Sequence, residues 1–101
     1  MKILFTGASS FTGFWYVKAL AAGGHEVICP ITRDFASYTG LRRQRLDLLK
    51  PICRIEESAP FGAEKFLSLA RLEKFDQLCH HGADVTNYKS TDFDALAAVR
   101  N

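Results

Sequence analysis

The stretch "TGASSFTG", residues 6–13, gathers residue types that can hold an anion. Gly7 and Gly13 lie six residues apart, with Ser9, Ser10, Phe11 and Thr12 between them. A short apolar run precedes them, and a longer apolar stretch without proline follows. A phosphate held between a strand and a helix needs a tight turn and a close backbone. It also needs a helix N-terminus whose free N–H groups and positive dipole end face the charge. Gly7 falls where the strand ends. Gly13 falls in the first helical turn, where a missing Cβ lets helix and strand pack closely. Ser9 and Ser10 can cap the helix and donate hydroxyls to phosphate oxygens, and Phe11 and Thr12 open it. The turn has the form of a dinucleotide pyrophosphate cradle. The competing reading is a structural glycine turn in another kind of α/β protein.

Other chemistry is weaker. Cys79, His80 and His81 are adjacent, but on a strand Cys79 and His81 face one way and His80 the other, and no second ligand cluster accompanies them. A zinc site is not expected. Phe14 and Trp15 read as core or interface residues. The run "RRQR" at 42–45 reads as a solvated helix face.

Composition bounds the rest. The chain has 101 residues, enough for one domain, and 48% of them are hydrophobic, enough for a real core. Thirteen basic against eleven acidic residues leave a net charge of +2, which is no footprint for nucleic acid. No signal peptide or membrane span fits the N-terminus. Three widely spaced cysteines, Cys29, Cys53 and Cys79, form no disulfide framework, so a reducing cytoplasm is the expected location.

The elements that must position the turn alternate. Lys2–Phe5 reads as a strand buried on both faces. Phe11–Ala22 reads as a helix with Phe14, Val17, Leu20 and Ala21 at helical spacing, stopped by Gly23-Gly24. "HEVICPI" is a second strand, with Pro30 as a complication. Tyr38–Leu49 is a helix ended by Lys50-Pro51, and "ICRI" a third strand. Ala63–Leu72 is a helix with Phe66, Leu69 and Ala70 on one face. "FDQLCHHGA" is a fourth strand running into a small-residue turn, and Asp92–Arg100 begins another helix. Strands alternating with helices imply a doubly wound parallel sheet with helices on both faces, a Rossmann-type α/β fold reaching about four strands.

With these residues in place, "MKILFTGASSFTG…AAGGHEVICPITRD" resembles the N-terminus of the extended short-chain dehydrogenase/reductases. More narrowly, it resembles the NAD-dependent epimerase/dehydratase group that acts on nucleotide sugars. That group's turn is T-G-x-x-G-x-x-G; Thr6, Gly7 and Gly13 match, and Ser10 replaces the middle glycine that permits closest approach to the pyrophosphate. "FDQLCHHGAD" is similar to the family's D-x-V-I-H-x-A-A segment through Asp76, His80, Gly82 and Ala83. The resemblance implies that this small-residue turn lies against the adenosine and ribose of the cofactor. It also implies that His80 or His81 packs near the cofactor at the sheet's carboxyl edge, and it points to Glu57 and Ser58 near adenine.

The resemblance covers nearly the whole chain but only the first half or less of a family member. The family's catalytic Tyr-x-x-x-Lys pair is missing: Tyr16, Tyr38 and Tyr88 are followed four residues later by Leu20, Arg42 and Asp92. The expectation is therefore the NAD(P)-binding N-terminal portion, residues 1–101, of a longer epimerase, dehydratase or reductase. By itself it is inactive in hydride transfer, and it meets a nucleotide sugar only within the full-length parent. The alternative is a non-catalytic NAD(P)-binding regulator. An open sheet edge makes self-association expected.

Cofactor choice turns on the end of the second strand. The family's ribose-binding acid lies about eighteen residues past the last glycine of the turn, which here reaches Ile31. Thr32 and Arg33 follow, and a hydroxyl with a guanidinium suits the 2′-phosphate of NADP. Asp34 is the opposing evidence, since a small slip around Pro30 would bring it to the ribose. The balance favours NADP over NAD.

Overall fold

The computed structural model of the chain describes residues 1–81. Its elements run β1 (Lys2–Thr6), α1 (Phe11–Ala22), β2 (Glu26–Pro30), a 3-10 turn (Phe35–Ser37), α2 (Gly40–Leu49), β3 (Arg54–Glu56), α3 (Glu64–Leu72) and β4 (Gln77–His80). The four strands form one parallel sheet in the order β3-β2-β1-β4. The expected helix over 92–100, together with Gly82 and Ala83, lies outside the described residues.

Both faces of the sheet are covered, which is why β1 and β2 read as continuous apolar runs. Ile3, Phe5, Val27 and Cys29 point to one face and meet Phe14 and Val17 of α1 and Leu49 of α2. Leu4 and Ile28 point to the other face and meet Phe66 of α3. Each of the largest of these side chains contributes about 1.5–3 kcal/mol by leaving water. A third cluster joins Leu46 of α2 to Ile31 and Tyr38, beyond the end of β2.

Two boundaries move from the sequence reading for a plain physical reason, and Pro30 finds a place inside its strand. Helix α2 begins at Gly40, because Tyr38 turns inward and is buried after the 3-10 turn. Ile52 and Cys53 belong to the turn after Pro51, so β3 starts at Arg54 and is only three residues long. Pro30 is tolerated inside β2 because pairing with β1 ends at Ile28. Its missing N–H lies on that unpaired side, while Ile31 N–H continues the ladder to Glu56 on β3 at 2.9 Å.

Polar contacts close the end of the sheet opposite the 6–13 turn. Asp76 accepts the Lys2 N–H at 2.6 Å, and its own N–H donates to the Lys2 carbonyl at 2.8 Å, which fixes where β4 enters beside β1. Glu73, at the end of α3, pairs with Arg54 of β3 and, at 2.7 Å, with Lys2 of β1. The Arg54 hydrogen bond, then that of Lys2, holds the Glu73 carboxyl below its ordinary range. A carboxyl depressed on folding stabilises above its unfolded value, near 4.3, and that contribution fades as pH falls through the folded value. Glu73→Gln should therefore be less stable than wild type at neutral pH, and the gap should close in acid. Thermal melts of both proteins across pH 7 to about 3 check this; a gap that persists unchanged in acid would deny the linkage.

Candidate functional site

In an open parallel sheet, ligands bind outside the carboxyl ends of the strands, where successive connections depart in opposite directions. Here β1 leads to β2 on one side, whereas β4 returns to the other side of β1. A cleft of about 280 Å³ opens at that point. Its floor is Thr6, Gly7, Ala8 and Ser9 after β1; one wall is Pro30, Ile31, Thr32 and Arg33 after β2; Tyr38, Arg42, Ala59, Phe61 and His80 complete it.

The turn at the floor is built from its glycines and Ser10. Gly7 has φ 83°, a left-handed conformation that favours glycine. A Cβ at Gly13 would stand 2.0 Å from the Gly7 carbonyl oxygen, so only glycine lets α1 close onto the end of β1. Ser10 caps α1: its Oγ accepts the Gly13 N–H at 3.0 Å and donates to the Gly7 carbonyl at 2.9 Å. The capping role expected of Ser10 is seen, with its hydroxyl engaged on both sides within the turn. Phe11 and Thr12 occupy the first helical positions, whose N–H groups have no acceptor within the helix.

Arginines from α2 brace this turn from outside. Arg42 donates to the Ser9 hydroxyl at 2.9 Å, and Arg45 to the Ser9 carbonyl at 3.1 Å. The run at 42–45 is thus not simply a solvated face: two of its members, three apart on one helical face, grip a residue more than thirty positions earlier. Ser9 itself is buried.

At the wall, Thr32 and Tyr38 share a hydroxyl–hydroxyl hydrogen bond of 3.1 Å, and the Arg33 guanidinium lies 4.3 Å from the centre of the Tyr38 ring. Asp34 does not line the cleft; its carboxylate accepts the Ser58 hydroxyl. Glu57 accepts the Phe35 N–H, so Glu57 and Ser58 serve the loop, and Ala59 and Phe61 stand at the cleft in their place. Among the described residues that line the cleft are two arginines and no aspartate or glutamate.

At the β4 side, His80 Nδ1 lies 2.7 Å from Thr6 Oγ1, and its ring stacks on Phe61 with centroids 4.0 Å apart. His81 stacks on Phe5, on the opposite face from His80, and Cys79 packs against the same cluster as Phe5. The strand alternation read from the sequence holds. Phe14 is core, whereas Trp15 stays half exposed.

No protein-family model matches the sequence, and no curated protein does either. Among solved structures, the chain is similar to UDP-glucuronic acid 4-epimerase from Bacillus cereus, a mutant crystallised with UDP-4-deoxy-4-fluoro-glucuronic acid and NAD. The TM-score is 0.63 and the identity 23%, over 80% of this chain and 26% of that one. The fold is Rossmann-like. The chain spans about a quarter of the length of the epimerase it matches.

Of the residues singled out from sequence, this Rossmann-like sheet brings Gly7, Ser9, Thr32, Arg33 and His80 to one cleft and sets Ser10, Phe11, Thr12 and Gly13 at the adjoining helix start. Sequence reasoning missed Tyr38, Arg42, Ala59 and Phe61. The one available signal was the i, i+3 spacing of Arg42 and Arg45; the other three reach the cleft through loop paths that no periodicity encodes. No helix among the described residues is long and apolar enough to cross a membrane.

Proposed function

We propose that the chain is an NAD(P)-binding domain, the N-terminal portion of an enzyme of the nucleotide-sugar epimerase/dehydratase kind, and that it prefers NADP. One observation carries the reading: the switch-point cleft combines a glycine turn at a helix N-terminus with two arginines and no carboxylate among its described lining residues. The fit to a dinucleotide is physical. Gly7 and Gly13 bring the backbone close, and Phe11 and Thr12 offer N–H groups to a pyrophosphate. Ser9, braced by Arg42, keeps a hydroxyl proton to donate. Arg33, held against Tyr38, is placed for the extra phosphate on the adenosine ribose, while Asp34, which would bind a free ribose and repel that phosphate, is turned to Ser58.

When bound, the nicotinamide supplies hydride transfer. The 101 residues contain no Tyr-x-x-x-Lys pair to assist it, so their part is binding and orientation, and a nucleotide sugar is met only in a longer protein. Three unbridged cysteines suit a reducing compartment such as the cytoplasm. Leu78 on β4 is about half exposed beside a strand edge that has no partner among the described residues. Sedimentation velocity should therefore show self-association rising with concentration, and a clean monomer throughout would count against it.

Calorimetric titration with both dinucleotides tests the central claim. NADP should bind more tightly than NAD. Arg33→Ala should weaken NADP by roughly tenfold or more, the worth of a charge-assisted hydrogen bond to phosphate, and leave NAD nearly unchanged. Tighter NAD, or no loss of NADP affinity in the variant, would overturn the preference. No binding of either would overturn the domain assignment.

A further inference from the structure

Away from the dinucleotide cleft, a second cavity of about 480 Å³ opens beside the turn between α2 and β3. Half-buried Cys53 lines it with Arg43, Lys50, Arg54 and Glu57; Arg43 pairs with Asp47 and Arg54 with Glu56 and Glu73, while the Lys50 ammonium sits over the Phe35 ring. The Glu57 carboxylate is engaged by the Phe35 N–H. Directly behind Cys53 lies Cys29 of β2, fully buried, with its sulfur 3.7 Å from that of Cys53. Widely spaced in the sequence, two of the three cysteines are brought together across twenty-four residues by the α2–β3 turn.

The two thiols are not equivalent. Cys53 borders the cavity and accepts the Cys29 S–H, which draws its thiol below the ordinary value against the opposing effect of burial. Cys29 is pushed well above, by the same hydrogen bond first and by burial second. The more acidic thiol at the cavity and the less acidic one behind it is the division of labour that exchange requires.

We propose that Cys53 and Cys29 are a thiol exchange pair, in which Cys53 attacks a small acidic disulfide, such as glutathione disulfide, that enters the cavity, and Cys29 resolves the adduct. In the first step the Cys53 thiolate attacks one sulfur of the small disulfide; a Cys53 mixed disulfide forms and one small thiolate leaves. In the second, Cys29 loses its proton to solvent or to that thiolate, and its sulfur attacks the Cys53 sulfur. The Cys29–Cys53 bond forms and the second small thiolate leaves. Two protein thiols are oxidised and one small disulfide is reduced to two thiols. Closing the bond brings the sulfurs from 3.7 Å to about 2.05 Å. Cys79 is the internal control: it sits on β4, separated from Cys29 on β2 by the intervening β1.

The reduced chain is incubated with glutathione disulfide at low salt, quenched with N-ethylmaleimide at intervals, and read by intact mass and peptide mapping. Wild type should show a transient glutathione adduct on Cys53, then a Cys29–Cys53 link, with Cys79 recovered alkylated. In Cys29→Ala the adduct should accumulate, and in Cys53→Ala, Cys29 should stay unmodified. Raising the salt should slow the Cys53 reaction about 2- to 3-fold, as expected for an anionic reagent drawn toward the Lys50 ammonium. Cystamine, a cationic disulfide, should show no such slowing. The proposal fails if Cys79 reacts first, if the Cys53 adduct never proceeds to the Cys29 link, or if glutathione disulfide and cystamine respond to salt alike. The wild-type time course decides the order of reaction even if a variant does not fold, and circular dichroism identifies such a variant.

Discussion

Gly13→Ala is expected to cost about 3 kcal/mol, the upper end of what overpacking usually costs. The added Cβ would lie 2.0 Å from the Gly7 carbonyl oxygen and 2.9 Å from its carbon, and both are backbone atoms that no rotamer change can move. Either α1 shifts away from β1 or the turn opens. For a domain near this size, about 4–8 °C is lost per kcal/mol, so the thermal midpoint should drop by roughly 12–24 °C. Dinucleotide binding should fall with it, because the displaced helix start carries the N–H groups proposed to face the pyrophosphate. Gly13→Val should abolish binding altogether. Melting curves followed by circular dichroism, with calorimetry below the lowered midpoint, check both parts. An unchanged midpoint together with unchanged affinity would refute this account of the turn.

Leu46→Ala should have an effect of similar size by the opposite route, a cavity. Leu46 is fully buried against Ile31 and Tyr38, with Phe35 and Ile55 at the margin. Truncating such a leucine costs about 2–5 kcal/mol. The consequence reaches the site because Ile31 and Tyr38 also line the cleft, and Tyr38 positions both Thr32 and Arg33. Leu49→Ala is the matched control: it is equally buried but belongs to the cluster beneath α1, with Val17 and Val27. Urea unfolding should show comparable losses for the two variants. Dinucleotide affinity, measured where both remain folded, should fall further in Leu46→Ala. Equal affinity losses would mean that the cleft wall does not depend on this packing.

How much of this was legible in the sequence depends on how local the cause is. Strand β1 and helix α1 were readable almost to the residue, because a two-sided buried strand is a plain apolar run and Ser10 and Gly23 mark the helix ends. The start of α2 was misplaced because Tyr38 has the burial of a helical core residue while its backbone is extended. The start of β3 was misplaced because Ile52 and Cys53, apolar as any strand, are spent in a turn. At the site, the glycine turn and the Thr32-Arg33 wall could be found by counting along the chain. The grip of Arg42 and Arg45 on Ser9 could not, because it depends on α2 crossing over the turn. Ala59 and Phe61 were invisible for the same reason: a loop brought them to the cleft, and loops carry no repeating pattern.

The sheet order has a consequence for how the molecule assembles. Strand β1 is made first, yet one of its two neighbours, β4, comes more than seventy residues later; both the Thr6–His80 and the Lys2–Asp76 contacts span 74 positions. During synthesis β1, β2 and β3 can pair as soon as they emerge, leaving the other edge of β1 as a bare row of donors and acceptors. Closing it requires contacts between positions 74 or more apart, the kind that slow folding most. Thr6 and His80 form one side of the cleft, so that side is completed only when β4 docks on β1. Competence to hold a ligand is in this sense tied to the pairing of strands far apart in the chain.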